Sequence, residues 1–293
     1  MKNPFHTSYN DRDDIELITS AKDGSKSSLE ALVKKHQHYI YNVALKMTLS
    51  PFDAEDITQE VLIKVITNLA NFKGESNFRT WLYRITFNHF LKMKKYWLED
   101  YVTTFSKYGK ELDQMQDNEL SFIEKSEMKE FIEDAKIGCM SGMLLCLDRE
   151  QRLVYILGEI FGIDHTIGSE MLDISKDNFR QRLSRARKDL YQFMNNKCGL
   201  INKSNPCRCD KKTKAFIQAG WVDKENLKFN TSYLKRISEV APNKSNDLND
   251  LTEIKYADLF KTQPFQEKEH SKKLFVNLLS DNKVKDIFNL NCA

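Results

Sequence analysis

The chain has 293 residues, long enough for about two domains, with a net charge of +3 and 41% hydrophobic against 30% charged residues. So slight a net charge excludes an argument from whole-chain electrostatics, and only the distribution of charge carries information. No apolar run reaches transmembrane length (the best, Leu153 to Phe161, is broken by Glu159), and the first fourteen residues hold no hydrophobic signal core, so a cytoplasmic protein with six reduced cysteines is expected.

Five prolines, ten glycines, many 3.6-residue patterns and no convincing alternating runs predict an all-α protein. Residues 1–11 read as a loose arm and Asp13 to Ala21 as a short helix. Ser27 is placed to cap the next helix, whose apolar side is Leu29, Leu32, Val33, His36, Ile40, Val43 and Met47. His36 and His38 are wrongly spaced for metal ligands on one helical face and read as packing or surface residues. Ser50 and Pro51 open a third helix, and Asp53, Glu55 and Asp56 suit its positive end. Ile57, Val61, Val65 and Leu69 form its buried stripe, leaving Gln59, Glu60 and Lys64 free to meet a partner. That helix is expected to end near Asn71, and Gly74 permits the turn after it.

A fourth helix is predicted from about Asn77 to Lys95. Its bases and amides, Arg79, Arg84, Asn88, His89, Lys92, Lys94 and Lys95, interleave with Tyr83, Phe87, Phe90, Tyr96 and Trp97. Rings beside cations suit unstacked single-stranded nucleic acid, since every base has a face to stack and every phosphate a charge to follow. The plainer reading is an amphipathic core helix with a solvated basic face.

DAEDITQEVLIKV (53–65) followed by FKGESNFRTWLYRI (72–85) resembles region two of extracytoplasmic-function sigma factors, compact subunits that initiate bacterial transcription. The resemblance implies that Asp53, Asp56, Gln59 and Glu60 dock on core RNA polymerase. It also implies that Asn77, Phe78, Trp81, Arg84, Asn88 and Lys92 capture bases of the melting minus-ten promoter element.

From Leu98 to about Met140 periodicity weakens and acids outnumber bases, as in a solvated, partly helical linker. A second domain is expected from near Gly142. Asp148 can cap a helix with Gln151 at its third position, and Leu153, Val154, Ile156, Leu157, Ile160 and Phe161 bury it. A turn at 162–164 leads to a short helix, Thr166 to Leu172. Ser175 caps a last one with Phe179, Leu183, Ala186, Leu190 and Phe193 on one side. Two short helices joined by a tight turn, the second bearing bases, make a helix-turn-helix. Between Lys176 and Lys214 twelve Lys and Arg face three Asp, a density that predicts salt-sensitive phosphate binding. Residues near the helix start, Lys176, Asp177, Asn178, Arg180 and Gln181, are placed for base edges, and later arginines for phosphates.

ISKDNFRQRLSRARKDL (174–190) is similar to region four of the same family, which implies that Lys176, Asn178, Arg180, Gln181, Arg182, Ser184, Arg185 and Arg187 read the minus-thirty-five element. The preceding helix departs from the family pattern, with Ile167, Gly168 and Ser169 where Glu-Ile-Ala is usual, and Gly168 should weaken it by up to about 1 kcal/mol.

Cys198, Cys207 and Cys209 lie within twelve residues. In a reduced compartment they suggest zinc or redox chemistry, or simply cysteines of a basic tail. Zinc would need a fourth ligand, with Cys292, His270, Asp210 or another chain as candidates. Cys139 and Cys146 read as small core residues, and helical patches are expected at 233–240, 256–260 and 274–279.

The resulting expectation is region two at 13–97, an acidic linker at 98–141, region four at 142–197 and a mostly helical extension at 198–293. A duplex-binding regulator would leave 53–95 unused. A metal-dependent hydrolase built on Asp53, Glu55, Asp56 and Glu60 lacks a histidine, and acids at a helix start have a simpler cause. No enzyme activity and no required cofactor are expected. The resemblance implies core RNA polymerase and promoter DNA, duplex and single-stranded, as partners in the nucleoid, allows an anti-sigma factor, and calls for no membrane.

Overall fold

In the computed structural model, the described residues are 5, 9–94, 99, 104–225 and 227. Among them the regular structure is helical: α1 (Arg12–Lys22), α2 (Lys26–Thr48), α3 (Pro51–Asn68), α4 (Phe78–Lys92), α5 (Phe105–Gln114), α6 (Phe122–Glu127), α7 (Lys129–Leu145), α8 (Arg149–Tyr155), α9 (His165–Leu172), α10 (Lys176–Lys197) and α11 (Cys209–Gln218). A 3-10 turn (Leu69–Asn71) prolongs α3 and a π turn (Ile156–Ile160) prolongs α8. The all-α fold read from the sequence is the fold observed. The described residues form two compact units, one from 1–94 with 161–180, the other from 95–160 with 181–227.

In the first unit α2 packs on α1 and α3, and α4 packs on α3 and α9. Ser25, not Ser27, caps α2, accepting from the Ser28 N–H. At its other end Leu49 takes a left-handed φ of 58°, and Ser50 at once caps α3 by accepting from the Asp53 N–H. Two caps back to back make a tight α2–α3 hairpin. The stripe Ile57, Val61, Val65 and Leu69 is buried as its spacing required, and Gly74 turns the chain with φ of 77°. The arm is not loose at the positions described: Phe5 is buried against Tyr39, Tyr83 and Phe161. His36 is a core residue, 1% exposed, beside Asp14.

Gly168 and Phe179 also belong to this unit. Asp164 caps α9 by accepting from the Thr166 N–H, Asp173 leaves it in a left-handed turn, and Ser175 caps α10 through the Asn178 N–H. The departure from the family pattern has a packing cause. A Cβ at Gly168 would lie 2.5 Å from Cε2 of the buried Phe179 ring. Gly168→Ala gains up to about 1 kcal/mol of helix propensity, but moving a core ring costs about 1–3 kcal/mol. A lower urea midpoint, equivalent to a net loss of about 1 kcal/mol, is therefore expected; a higher one would mean that Phe179 swings aside freely.

In the second unit the segment expected as a solvated linker is built of helices with their own core. Tyr108 of α5 lies under Trp221, rings 5.7 Å apart and nearly parallel, and donates its hydroxyl hydrogen to the Cys139 carbonyl at 3.0 Å. Gly142, placed at a domain start from sequence, sits inside α7, where a Cβ would meet the Tyr108 hydroxyl at 2.7 Å. Asp148 caps α8 and accepts from the Gln151 N–H, as expected. The acids of the linker are matched by bases of α11: Asp117 with Lys212, Glu119 with Lys211, and Glu124 with Lys214, while Lys125 pairs with Asp210. The sequence-predicted patches at 233–240, 256–260 and 274–279, and Tyr96 and Trp97, lie outside the described residues.

Candidate nucleic-acid interface

On α4 the exposure follows one stripe. Trp81 and Arg84 are half-buried and Asn88 and Lys92 exposed, at steps of three and four from the exposed Asn77. Those five predicted residues come together on one face. Phe78 does not join them: it is 0% exposed and packs between Phe72 and Trp81, so its ring serves the core and offers no face to a base. Tyr83, Phe87 and Phe90 are buried too, so the interleaved aromatics follow the plainer reading. The stripe is polar and cationic with one accessible ring, Trp81.

Arg84 has protein partners. Its Nη2 donates to the Glu170 carbonyl at 3.0 Å and lies 3.2 Å from the Asp173 carboxylate. To reach a phosphate or base, Arg84 must leave α9.

The acidic face of α3 is arranged as its spacing predicts. Asp53 and Gln59 are half-buried and Asp56 and Glu60 exposed, on the side away from the apolar stripe. Glu60 reaches His89 of α4 at 3.2 Å, and Lys64 lies against the other ring nitrogen. Burial, then Lys64, lowers the His89 pKa against the pull of Glu60, which keeps this imidazole neutral at pH 7. Sequence reasoning passed over Phe52, 80% exposed beside these acids. Its signal was present: it falls one residue off the 57, 61, 65 register.

The bases of α10 divide in two. Arg182 pairs with Glu150 at 2.9 Å, Arg187 with the buried Glu159, and Arg180 with Asp177 and His165. Lys176, Gln181, Ser184, Arg185 and Lys188 are exposed, with no hydrogen-bond or ion-pair partner among the described residues; Asn178 is half-buried. Gln181, Ser184, Arg185 and Lys188 follow helical steps opposite Phe179, Ala186 and Leu190. The free positive face is thus narrower than the sequence count implied. Arg182 and Arg187 hold the fold, and Lys211, Lys212 and Lys214 are matched by linker acids.

Cys198 and Cys207 stand opposite each other in a parallel bridge. Neighbouring bases pull a thiol pKa down, but here burial outweighs them: it raises Cys198, pushes Cys207 up to about 11, and leaves Cys209 well above the usual thiol range. These thiols are protonated at pH 7 and poor nucleophiles. Among the described residues no group of three or more His, Cys, Asp or Glu is arranged to hold a metal ion. Cys292 and His270 lie outside the described residues.

Comparison with known proteins places this geometry. Residues 32–96 match the family Sigma-70 region 2, which spans α2 from Leu32, α3 and α4. The chain is 39% identical over 75 residues to the RNA polymerase sigma-H factor of Pseudomonas aeruginosa, covering 26% of this chain and 39% of that one. It is 26% identical over 170 residues to the ECF RNA polymerase sigma factor SigE of Mycolicibacterium smegmatis, covering 57% and 62%. It is 25% identical over 169 residues to the RNA polymerase sigma factor YlaC of Bacillus subtilis, covering 58% and 93%. The alignments thus span less than two thirds of the first two relatives. No described helix is long and apolar enough to cross a membrane. The region 2 match thus falls over the two helices that carry the acidic face and the polar stripe, and the relatives that the chain resembles are bacterial RNA polymerase sigma factors.

Proposed function

We propose that this protein is an RNA polymerase sigma factor that binds core polymerase, recognises promoter DNA and starts transcription of a specific regulon. The observation that carries this reading is the single accessible stripe Asn77, Trp81, Arg84, Asn88 and Lys92, lying within the region 2 match. Asp53, Asp56, Gln59 and Glu60, with Phe52 beside them, offer the polymerase a carboxylate face with an apolar anchor. The α4 stripe then holds the melted minus-ten strand, Trp81 stacking on a base while Lys92 and a released Arg84 follow phosphates. Phe78 supports Trp81 from below.

In the minus-thirty-five duplex, Gln181, Ser184 and Arg185 reach the major groove, and Lys176 and Lys188 meet phosphates. The division within α10 gives a contrast. Arg185→Ala is expected to weaken duplex binding and reduce the salt slope by about 1, leaving stability unchanged. Arg187→Ala strands the buried Glu159 and is expected to cost about 1–3 kcal/mol of stability. Anisotropy titrations at several salt concentrations, with thermal melts, read both; equal salt slopes for the two variants would sink this division of α10.

The reading as a whole is tested by run-off transcription with purified core polymerase on a library of upstream DNA from the source genome. Transcripts starting at discrete sites only when the protein is added are expected. Salt-sensitive duplex binding without initiation or core binding would replace the sigma reading with a plain helix-turn-helix regulator.

A further inference from the structure

Asn77 stands at the N-cap of α4 and is a residue type that caps well, yet its side chain makes no capping hydrogen bond. The helix start is satisfied from a distant part of the chain. Asp11 Oδ2 accepts a hydrogen bond from the Arg79 backbone N–H at 3.3 Å, and the Phe78 N–H favours the charged form of the same carboxylate. These are first-turn donors that would otherwise need a local cap or water. Asp11 is itself the N-cap residue of α1 and makes no side-chain cap there. At the other end of α1, Lys22 Nζ donates to the Phe72 carbonyl at 2.7 Å. Helix α1 therefore holds both ends of the loop from Phe72 to Phe78. Between them Lys73 to Asn77 are exposed, and the Asn77 amide has no partner among the described residues.

We propose that α1 is a clasp that caps α4 from outside and so frees the Asn77 side chain to read one unstacked base, with Asp11 and Lys22 as positioning residues. The inference rests on the sigma reading of this face. An amide turned in on its own helix has one acceptor engaged; a free one presents a donor and an acceptor together, the pair that recognises a base edge. Fixing the loop at both ends also lowers the ordering cost of binding. Asp11 and Lys22 do not touch the nucleic acid.

The test uses the full chain assembled with core polymerase and a random-sequence single-stranded DNA pool, sequenced after selection. In the unsubstituted protein Asn77→Ala should erase the base preference at one position. Asp11→Ala should erase it at that same position and weaken binding about fivefold, because Asn77 then turns in to cap α4. Asp11→Asn, which keeps an acceptor oxygen, should restore the preference. Lys22→Met should broaden it while leaving the helical circular dichroism unchanged, which separates positioning from folding. If Asn77→Ala erases the preference and Asp11→Ala leaves it intact, the clasp is wrong. If Asn77→Ala changes nothing although the pool binds, Asn77 is not the reader and the inference falls. If no DNA is retained by an assembled holoenzyme, the sigma reading fails first.

Discussion

Glu99→Ala is expected to destabilise the protein by about 3–5 kcal/mol, one of the two largest effects a single substitution should have here. The Glu99 side chain is 2% exposed and lies between two guanidinium groups, Arg149 at 2.6 Å and Arg152 at 2.8 Å. Arg149 is partly solvated, but Arg152 is 3% exposed. Burial, the largest influence, pulls the Arg152 pKa down against the Glu99 charge that holds it up. Without Glu99 the buried Arg152 guanidinium loses its carboxylate partner, which costs far more than the pair contributes. Arg152 also donates to the Leu145 and Leu147 carbonyls, at the end of α7 and just beyond it. The double variant Glu99→Ala with Arg152→Met should therefore recover part of the loss, not all of it. Urea unfolding of the three proteins reads this directly. Strict additivity would mean that the triad carries no coupling.

The contrast with neighbouring ion pairs shows why the count of charges misled. Glu124 with Lys214 and Glu119 with Lys211 are exposed pairs, worth little singly. Together they dock α11 on the preceding segment, so acids that read as a solvated linker and bases that read as a phosphate-binding tail cancel each other. About ninety residues separate the partners. Periodicity acts over a few turns and carries no information at that range. The caps at Ser50, Asp148, Asp164 and Ser175 are different: donor and acceptor lie two or three residues apart, so they were legible or nearly so. Ser25 in place of Ser27 is a miss within the usual uncertainty of helix ends.

The candidate site divides the same way. The helical steps from Asn77 to Lys92 and from Asp53 to Glu60 are local, and these residues do share faces. Depth is not local. Phe78 and Trp81 are both aromatic and three residues apart, yet one is wholly buried and the other half-exposed, because α4 is covered by α3 on one side and α9 on another. The capping role of Asp11 was invisible for the same reason as the α11 pairs: its partner lies 68 residues on.

A second large effect is expected at Asp14, where the sign of the pH dependence follows from the geometry. Its side chain is 0% exposed and meets Lys35 at 2.6 Å, the Tyr9 hydroxyl at 2.5 Å and His36 at 3.5 Å. Burial alone would raise the carboxyl pKa; His36, Lys35 and Tyr9 outweigh it and hold the group below its ordinary value. A depressed carboxylate pKa contributes stability above the unfolded value of about 3.9, and that contribution is lost as pH falls below about 4. Asp14→Asn keeps the shape, removes the charge and leaves His36 and Lys35 without it, at a cost of about 3–5 kcal/mol at pH 7. The gap between the two proteins should narrow steadily in urea titrations below pH 4, because protonated Asp14 resembles asparagine. A gap that stays constant from pH 7 to pH 3 would mean that packing around Asp14, not its charge, ties α1 to α2.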